Sequence, residues 1–239
     1  MPVHVEPITQ ADVPRMVDIQ QVAMQASAFF RSIGDVPNTD GFTTGITEPP
    51  CRINKITRIL NDWNKDPTVR FLKAVDTDSD EMIAFAQWHV YHGDEGLEEW
   101  RESVRTDKEM RIPFGANKEG YQFCQSHLFE RRKMVFGQDG REHCLLALLA
   151  TDPQFERRGA ASALTQWGCD VADQLGIECY VESSKKGYPV YQRKGFQDAC
   201  SEHDNNVIQF DASRFTGRGG NSGDWVTLTC MIRRPHTSR

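Results

Sequence analysis

The stretch richest in chemistry is Glu156-Arg157-Arg158-Gly159-Ala160-Ala161-Ser162, a basic loop that runs into a helix. Ahead of it the apolar run Cys144 to Ala150 reads as a buried strand that Asp152-Pro153 stops, and after it Leu164, Trp167, Val171 and Leu175 recur at steps of three or four. A strand, a short loop and a helix start form a device for binding anions. The first N–H groups of a helix have no partner within it, and together with the helix dipole they attract negative charge, phosphate above all.

These residues carry a resemblance. Glu156 to Ala161 is similar to the Q/R-x-x-G-x-G/A loop of the Gcn5-related N-acetyltransferase (GNAT) superfamily, Leu149-Ala150-Thr151-Asp152-Pro153 resembles the strand end before it, and Gly187 to Phe196 resembles its x-x-x-x-Y-x-x-x-G-F segment. The three pieces stand in family order and spacing, covering Cys144 to Phe196. The resemblance implies an acyl-CoA N-acyltransferase fold: α/β, with a mixed, mostly antiparallel central sheet, splayed central strands and helices on both faces. It implies acetyl-CoA as co-substrate, its pyrophosphate on Glu156, Arg157, Arg158, Gly159, Ala160, Ala161 and Ser162. Backbone groups of Leu149, Ala150 and Thr151 would pair with the pantetheine arm as a substitute strand would.

The implied reaction is direct attack of an amine on the thioester in a ternary complex. Such an amine must first lose a proton, its pKa being near ~10. The carbonyl oxygen needs a donor, for which the Ala150 N–H is the candidate. The leaving thiolate needs a proton, and a positioned acid contributes about 10²–10⁴-fold. Tyr191 holds the family's general-acid position; its alternative role is to pack the short helix on the sheet, for which Tyr188 is the better candidate. Ser184 stands where many members carry Asn and either bonds the pantetheine arm or caps the following helix. Glu182 is the candidate base, with Asp152, His143, Gln87 and His89 also near the central strands, and a water chain is the alternative to any single base. Two departures from the pattern stand out. Glu156 puts a carboxylate beside a pyrophosphate, which is unfavourable unless it points away or pairs with Arg157 or Arg158. Ala160 and Ala161 replace Ile and Gly, and a small residue at 161 suits close backbone approach.

Three other patterns carry less. His89 and His92 form H-x-x-H without further ligands, so no metal is expected. The acidic Asp76 to Glu81 lacks the Gly and Glu of a calcium loop and reads as a solvated hairpin turn. Gly217 to Gly223 lacks the G-K-[ST] ending of a phosphate loop.

The elements that must position this chemistry follow from pattern. Strands are expected at Val3 to Ile8, Val69 to Val75, Met82 to Tyr91, Ile177 to Val181, from Phe196 and over Trp225 to Ile232. Helices are expected over Ala11 to Phe30 (capped by Thr9), Arg52 to Lys65, Gly96 to Lys108, Tyr121 to Phe136 and Tyr188 to Lys194, with Gly176 ending the central helix. Ser32 to Pro50 reads as a long loop, either beside the acceptor site or a plain surface loop. The chain is expected to be one acetyltransferase domain over 1–239, with a helical insertion at 93–140 too short to bury a core alone. Within it Arg131-Arg132-Lys133 reads as a solvated face, the alternative being that it faces an acidic substrate or the cofactor's 3′-phosphate.

Composition limits the function classes. With 38% hydrophobic and 10% aromatic residues in 239, the chain can bury a core. A net charge of −6 speaks against general nucleic-acid binding. No apolar run suits a membrane span or a secretory leader, and the seven cysteines are scattered without a C-x-x-C, so a cytoplasmic chain with free thiols is expected. Homodimerisation is left open. The leading expectation is acetyl transfer to a small amine; the alternatives are a protein or peptide acceptor, or a non-catalytic CoA-binding interaction protein that retains the fold.

Overall fold

The computed structural model describes residues 3–25, 27–32, 50–105, 110, 112, 116–199, 206–216 and 225–236. Its sheet strands are β1 (Val3–Pro7), β2 (Val69–Asp76), β3 (Glu81–Tyr91), β4 (His143–Thr151), β5 (Glu178–Ser184), β6 (Gln197–Asp198), β7 (Val207–Asp211) and β8 (Trp225–Arg233). The order across the sheet is β1-β2-β3-β4-β5-β8-β6, with β7 also paired to β8. β4 and β5 run parallel and the other pairs antiparallel. The helices are α1 (Val13–Met24), α2 (Ala28–Ser32), α3 (Pro50–Asn61), α4 (Gly93–Ser103), α5 (Lys118–Phe136), α6 (Ala160–Leu175), α7 (Tyr188–Arg193) and α8 (Ser213–Thr216).

The two faces bury different cores. On one face α6 and α7 cover Ala84, Ala86, Trp88, Leu146 and Val181. The opposite face is shared. Val13, Met16 and Ile19 of α1 pack on Phe85 and Ala150, while Trp100, Leu128 and Phe136 of α4 and α5 pack on Tyr91, Leu145 and Tyr180. The period-2 alternation of the strands drives this division: Leu145 faces α5, and its neighbour Leu146 faces α6. α6 comes close to the sheet because Gly168 lies against the Trp88 ring, where a Cβ would stand 2.3 Å from it. The Trp88 indole N–H donates to the Leu164 carbonyl at 3.3 Å across the same contact.

Local chemistry accounts for several differences from expectation. Thr9 starts a short 3-10 turn instead of a long helix, its N–H and hydroxyl both donating to the Asp12 carboxylate. The expected Ala11 to Phe30 helix is two helices, broken after Met24. β7 was not foreseen, although Val207-Ile208-Gln209-Phe210 alternates as a half-buried strand should. Asp76 is not in a solvated turn: its side chain is fully buried and accepts from the Asp78 N–H at 2.9 Å and from Arg158. The expected loop over Ser32 to Pro50 and the Gly217 to Gly223 stretch lie mostly or wholly outside the described residues.

Candidate active site

The central pair of strands opens. β4 and β5 are paired from His143↔Glu178 to Leu146↔Val181 and no farther, although both strands continue. A β-bulge falls at the same level, since Gln87 of β3 faces Leu148 and Trp88 faces Leu146, leaving Ala147 as the extra residue. Ala147 is exposed although it lies in the middle of a central strand, because the sheet parts there.

The β4 edge facing this gap can be read from register. The Asp152 N–H donates to the Ile83 carbonyl of β3 at 2.9 Å. Backbone groups alternate between the two neighbours of a strand, so Ala150, opposite Phe85, also addresses β3. Leu149 and Thr151 then turn their N–H and C=O groups to the gap. The expectation that the Ala150 N–H is the oxyanion donor is therefore corrected: that amide belongs to the β3 ladder. The Thr151 hydroxyl, on the same edge, is buried without a hydrogen-bond partner among the described residues.

After Thr151, Asp152 caps the turn Pro153–Phe155, its carboxylate accepting from the Gln154 N–H at 3.1 Å and from Arg15 at 2.8 Å. The chain then takes left-handed backbone at Arg157 (φ 64°) and Gly159 (φ 89°). Gly159 is the N-cap of α6, offers no side-chain cap, and a Cβ there would meet nothing within 4 Å. The first helical bond runs from the Ala163 N–H to the Gly159 carbonyl, so the N–H groups of Ala160, Ala161 and Ser162 point out of the helix start. Such a start, open in front, fits a pyrophosphate.

The charged residues of this loop divide unexpectedly. Arg157 is exposed and makes no ion pair among the described residues. Arg158 pairs with the buried Asp76 and lies over the Phe155 ring, bracing the loop against β2. The Arg158 guanidinium and the Asp78 N–H hold the Asp76 carboxyl below its usual range, the backbone bond being the larger cause. Glu156 pairs with neither arginine; its partner is Lys186 of the loop after β5.

Tyr191, on α7 after β5, is buried, and burial pushes its phenol pKa up. It packs on α6 and on Phe196, whereas the Tyr188 hydroxyl donates to Asp198 at 2.8 Å. The packing role expected mainly of Tyr188 thus falls to Tyr191 as well. The Ser184 hydroxyl accepts from the Gly187 N–H at 3.2 Å and serves as a cap of the turn before α7.

Glu182 does not suit the base. Arg132 grips both of its oxygens, at 2.7 and 2.9 Å, and the carboxylate is only 6% exposed. The reading of Arg132 as part of a solvated face is corrected by the same pair. Desolvation opposes the charged guanidinium, but the Glu182 carboxylate outweighs it and raises the Arg132 pKa. Asp152 is engaged as described. His143 is sealed among Tyr91, Trp100 and Phe136, with its ring stacked 3.6 Å from Phe136, and burial lowers its pKa to about 3. His89 uses both ring nitrogens on Thr68 and Gln87, and burial lowers its pKa to about 4.

A cavity of about 620 Å³ lies between the sheet, α1, α3 and α5, and sequence reasoning did not foresee it. Phe71, Phe85 and Tyr121 give it aromatic wall, and Ala147 and Leu148 form part of its floor. The charged residues among those described in its lining are Lys55, Arg58 and Arg132. Within the 93–140 stretch, α5 supplies one wall of the cavity through Tyr121, Gln125, Leu128 and Arg132.

A splayed β4–β5 pair, a bulge beside it and a glycine-led helix start define an acyl-CoA N-acyltransferase fold. A profile of the acetyltransferase (GNAT) domain matches residues 91–212, half of the chain, and the protein belongs to this family of acetyl-CoA-using N-acetyltransferases. No curated protein matches the sequence. Among solved structures it is similar to arylalkylamine N-acetyltransferase 2 from Aedes aegypti, with TM-score 0.61 and 15% identity over 98% of this chain and 99% of that one. A histone acetyltransferase HPA2 and related acetyltransferase from Corynebacterium glutamicum aligns with TM-score 0.54 and 19% identity, over 100% and 99% of the two chains. A phosphinothricin acetyltransferase from Sinorhizobium meliloti, in complex with AcCoA, aligns with TM-score 0.50 and 11% identity, over 100% and 93%. At these identities the likeness is one of fold. Among the described residues no helix is long and apolar enough to cross a membrane, and no group of three or more His, Cys, Asp or Glu could hold a metal ion.

Proposed function

We propose that the protein is an acetyl-CoA-dependent N-acetyltransferase that acts on the amine of a small molecule. The observation that carries this reading is the meeting of two spaces at Ala147 and Leu148. These are the first β4 residues past the last β4–β5 pair, and they also line the cavity. A thioester laid along the gap and an amine in the cavity would face one another there, which supplies the proximity that acyl transfer needs. A cavity of about 620 Å³ suits a small acceptor better than a protein tail.

The bound co-substrate would supply the activated acyl carbon and a thiolate leaving group. Leu149 and Thr151 would hold its pantetheine arm through their backbone groups. The N–H groups of Ala160, Ala161 and Ser162, with the Arg157 guanidinium, would hold the pyrophosphate. A gap-facing N–H of β4, Leu149 in first place, would donate to the carbonyl oxygen as charge develops there. The Tyr191 hydroxyl would protonate the departing sulfur; a raised phenol pKa keeps that proton in place at neutral pH. The amine's own proton would leave through water, because the side chains of Glu182, Asp152 and His89 are all engaged. The cationic lining favours the uncharged form of an amine, which is the reactive one.

The test is acetyl-CoA binding by calorimetry on wild type and on Gly159→Trp, followed by a screen of amines for CoA release. Saturable binding by wild type that the folded variant lacks supports the phosphate site. Binding without CoA release on any amine would favour the non-catalytic reading, and no binding at all would overturn the assignment.

A further inference from the structure

A chain of four side chains runs from the cavity wall to the protein surface, and its direction can be deduced. Gln87 Nε2 is 3.1 Å from His89 Nε2, His89 Nδ1 is 2.9 Å from Thr68 Oγ1, and Thr68 Oγ1 is 2.6 Å from Asp66 Oδ1. A carboxylate only accepts, so the Thr68 hydroxyl proton must point at Asp66. The Thr68 oxygen is then left as an acceptor, and His89 Nδ1 must carry the ring proton and donate to it. A neutral imidazole has one N–H, so His89 Nε2 is an acceptor. The group that meets it has to be a donor, namely the amide nitrogen of Gln87.

The reverse arrangement fails on one distance. With the Gln87 amide flipped, Nε2 would carry the ring proton and Nδ1 would need a proton from Thr68. That would leave the Thr68 oxygen 2.6 Å from Asp66 with no proton between the two. Asp66 therefore sets the direction of all three bonds. Its second oxygen, 3.5 Å from His89 Nδ1, favours the same tautomer.

The end of the chain is the Gln87 carbonyl oxygen. Gln87 lines the cavity, stands opposite Leu148 at the bulge, and its side chain makes no other hydrogen bond among the described residues. We propose that Gln87 is the positioning residue for the acceptor: His89, Thr68 and Asp66 lock its amide so that Oε1 is offered to the cavity, where it accepts an N–H of the incoming amine beside the β4 gap. This rests on the acetyltransferase reading and adds the group that selects and orients the nucleophile. An amide oxygen binds the amine through its N–H without holding it as an ammonium, as a carboxylate would, so the lone pair is left for attack.

Two measurements test it. The first needs no acceptor: with ¹⁵N-labelled histidine, the ring-nitrogen shifts of His89 report its tautomer. The Nδ1–H form is expected in wild type, with the Nε2 resonance moved by Gln87→Met. The Nε2–H form in wild type overturns the proposal. The second is steady-state kinetics with acetyl-CoA and whichever of 2-phenylethylamine, putrescine and L-glutamate is turned over fastest. Gln87→Met is expected to raise acceptor KM about tenfold, the scale of one lost hydrogen bond, with acetyl-CoA affinity unchanged. Asp66→Asn is expected to raise acceptor KM in the wild-type background and to add little to Gln87→Met, because both act through one amide. An unchanged acceptor KM in Gln87→Met, or fully additive effects, overturns the proposal. If all three amines are refused by an acetyl-CoA-binding protein, the tautomer decides; failure of acetyl-CoA to bind condemns the enzyme reading separately.

Discussion

Arg132 of α5 and Glu182 of β5 form a bidentate ion pair at 2.7 and 2.9 Å, and Arg132 lines the cavity between the sheet, α1, α3 and α5. The pair joins a helix of the 93–140 stretch to the strand that borders the gap. It gives a carboxylate that is only 6% exposed its bidentate partner.

Removing one partner should therefore cost more than removing a surface pair. Arg132→Met is expected to destabilise the fold by about 3–5 kcal/mol, the range for breaking a buried pair. Urea denaturation at pH 7 measures it. Glu182→Gln separates structure from chemistry. A base removed lowers kcat by a hundredfold or more, on the order expected for acid–base catalysis. With the carboxylate acting only as the partner of Arg132, kcat should stay within about tenfold of wild type while stability drops.

Tyr191→Phe keeps the ring that packs on α6 and Phe196 and removes only the hydroxyl. Its melting temperature should match wild type within the error of a thermal scan. If the hydroxyl protonates the leaving thiolate, kcat should fall by about 10²-fold or more, with acetyl-CoA affinity unchanged. An unaffected kcat would reduce Tyr191 to a packing residue.

Stability should fall on mild acidification. His143 is held neutral by burial, with its pKa lowered to about 3 from 6.5. Above about pH 6.5 neither the folded nor the unfolded form binds a proton there, and the histidine makes no pH-dependent contribution. Between about 6.5 and 3 only the unfolded chain binds it, so stability declines as pH drops and the loss levels off below the folded value. From pH 6.5 to 5 this one group should cost about 2 kcal/mol. His89, lowered to about 4 mainly by burial, adds in the same direction. Urea midpoints at pH 7 and pH 5, for wild type and His143→Gln, would show whether the variant has a flatter slope.

Gly168→Ala tests the contact that seats α6. The added methyl would fall 2.3 Å from the fully buried Trp88 ring, which has nowhere to retreat. Despite alanine's better helix propensity, a loss of about 1–3 kcal/mol is expected from overpacking, seen as a lowered melting temperature. Since α6 carries at its start the turn proposed to hold the pyrophosphate, acetyl-CoA affinity should weaken with it.

The strand, loop and helix around Gly159 were legible in the sequence because their signals are local. Turn residues, a helix-starting glycine and a helical stripe each act over a few positions, and the family motif preserves them in order. The same locality made Gly176 a correct helix end, with φ 69°. Partner choice was another matter. Arg132, in a run of three cations, carried no mark of burial until α5 lay across β5. Glu156 was expected either to point away from the loop or to pair with Arg157 or Arg158, and the partner it has is Lys186, thirty residues on.

By itself the sequence determined the family, the glycine-led helix start at Gly159 and the alternation that gives the sheet two buried faces, all of which follow from short-range spacing and residue type. Only the tertiary structure decided where β4 and β5 part, that the Ala150 amide belongs to β3, that Glu182 is occupied, and that Gln87 ends a hydrogen-bond chain at the cavity wall. Those outcomes depend on strand register and on the approach of residues far apart in the chain. Register shifts by one residue at the Ala147 bulge, and no composition or period along a single segment encodes which distant donor will meet a buried acceptor.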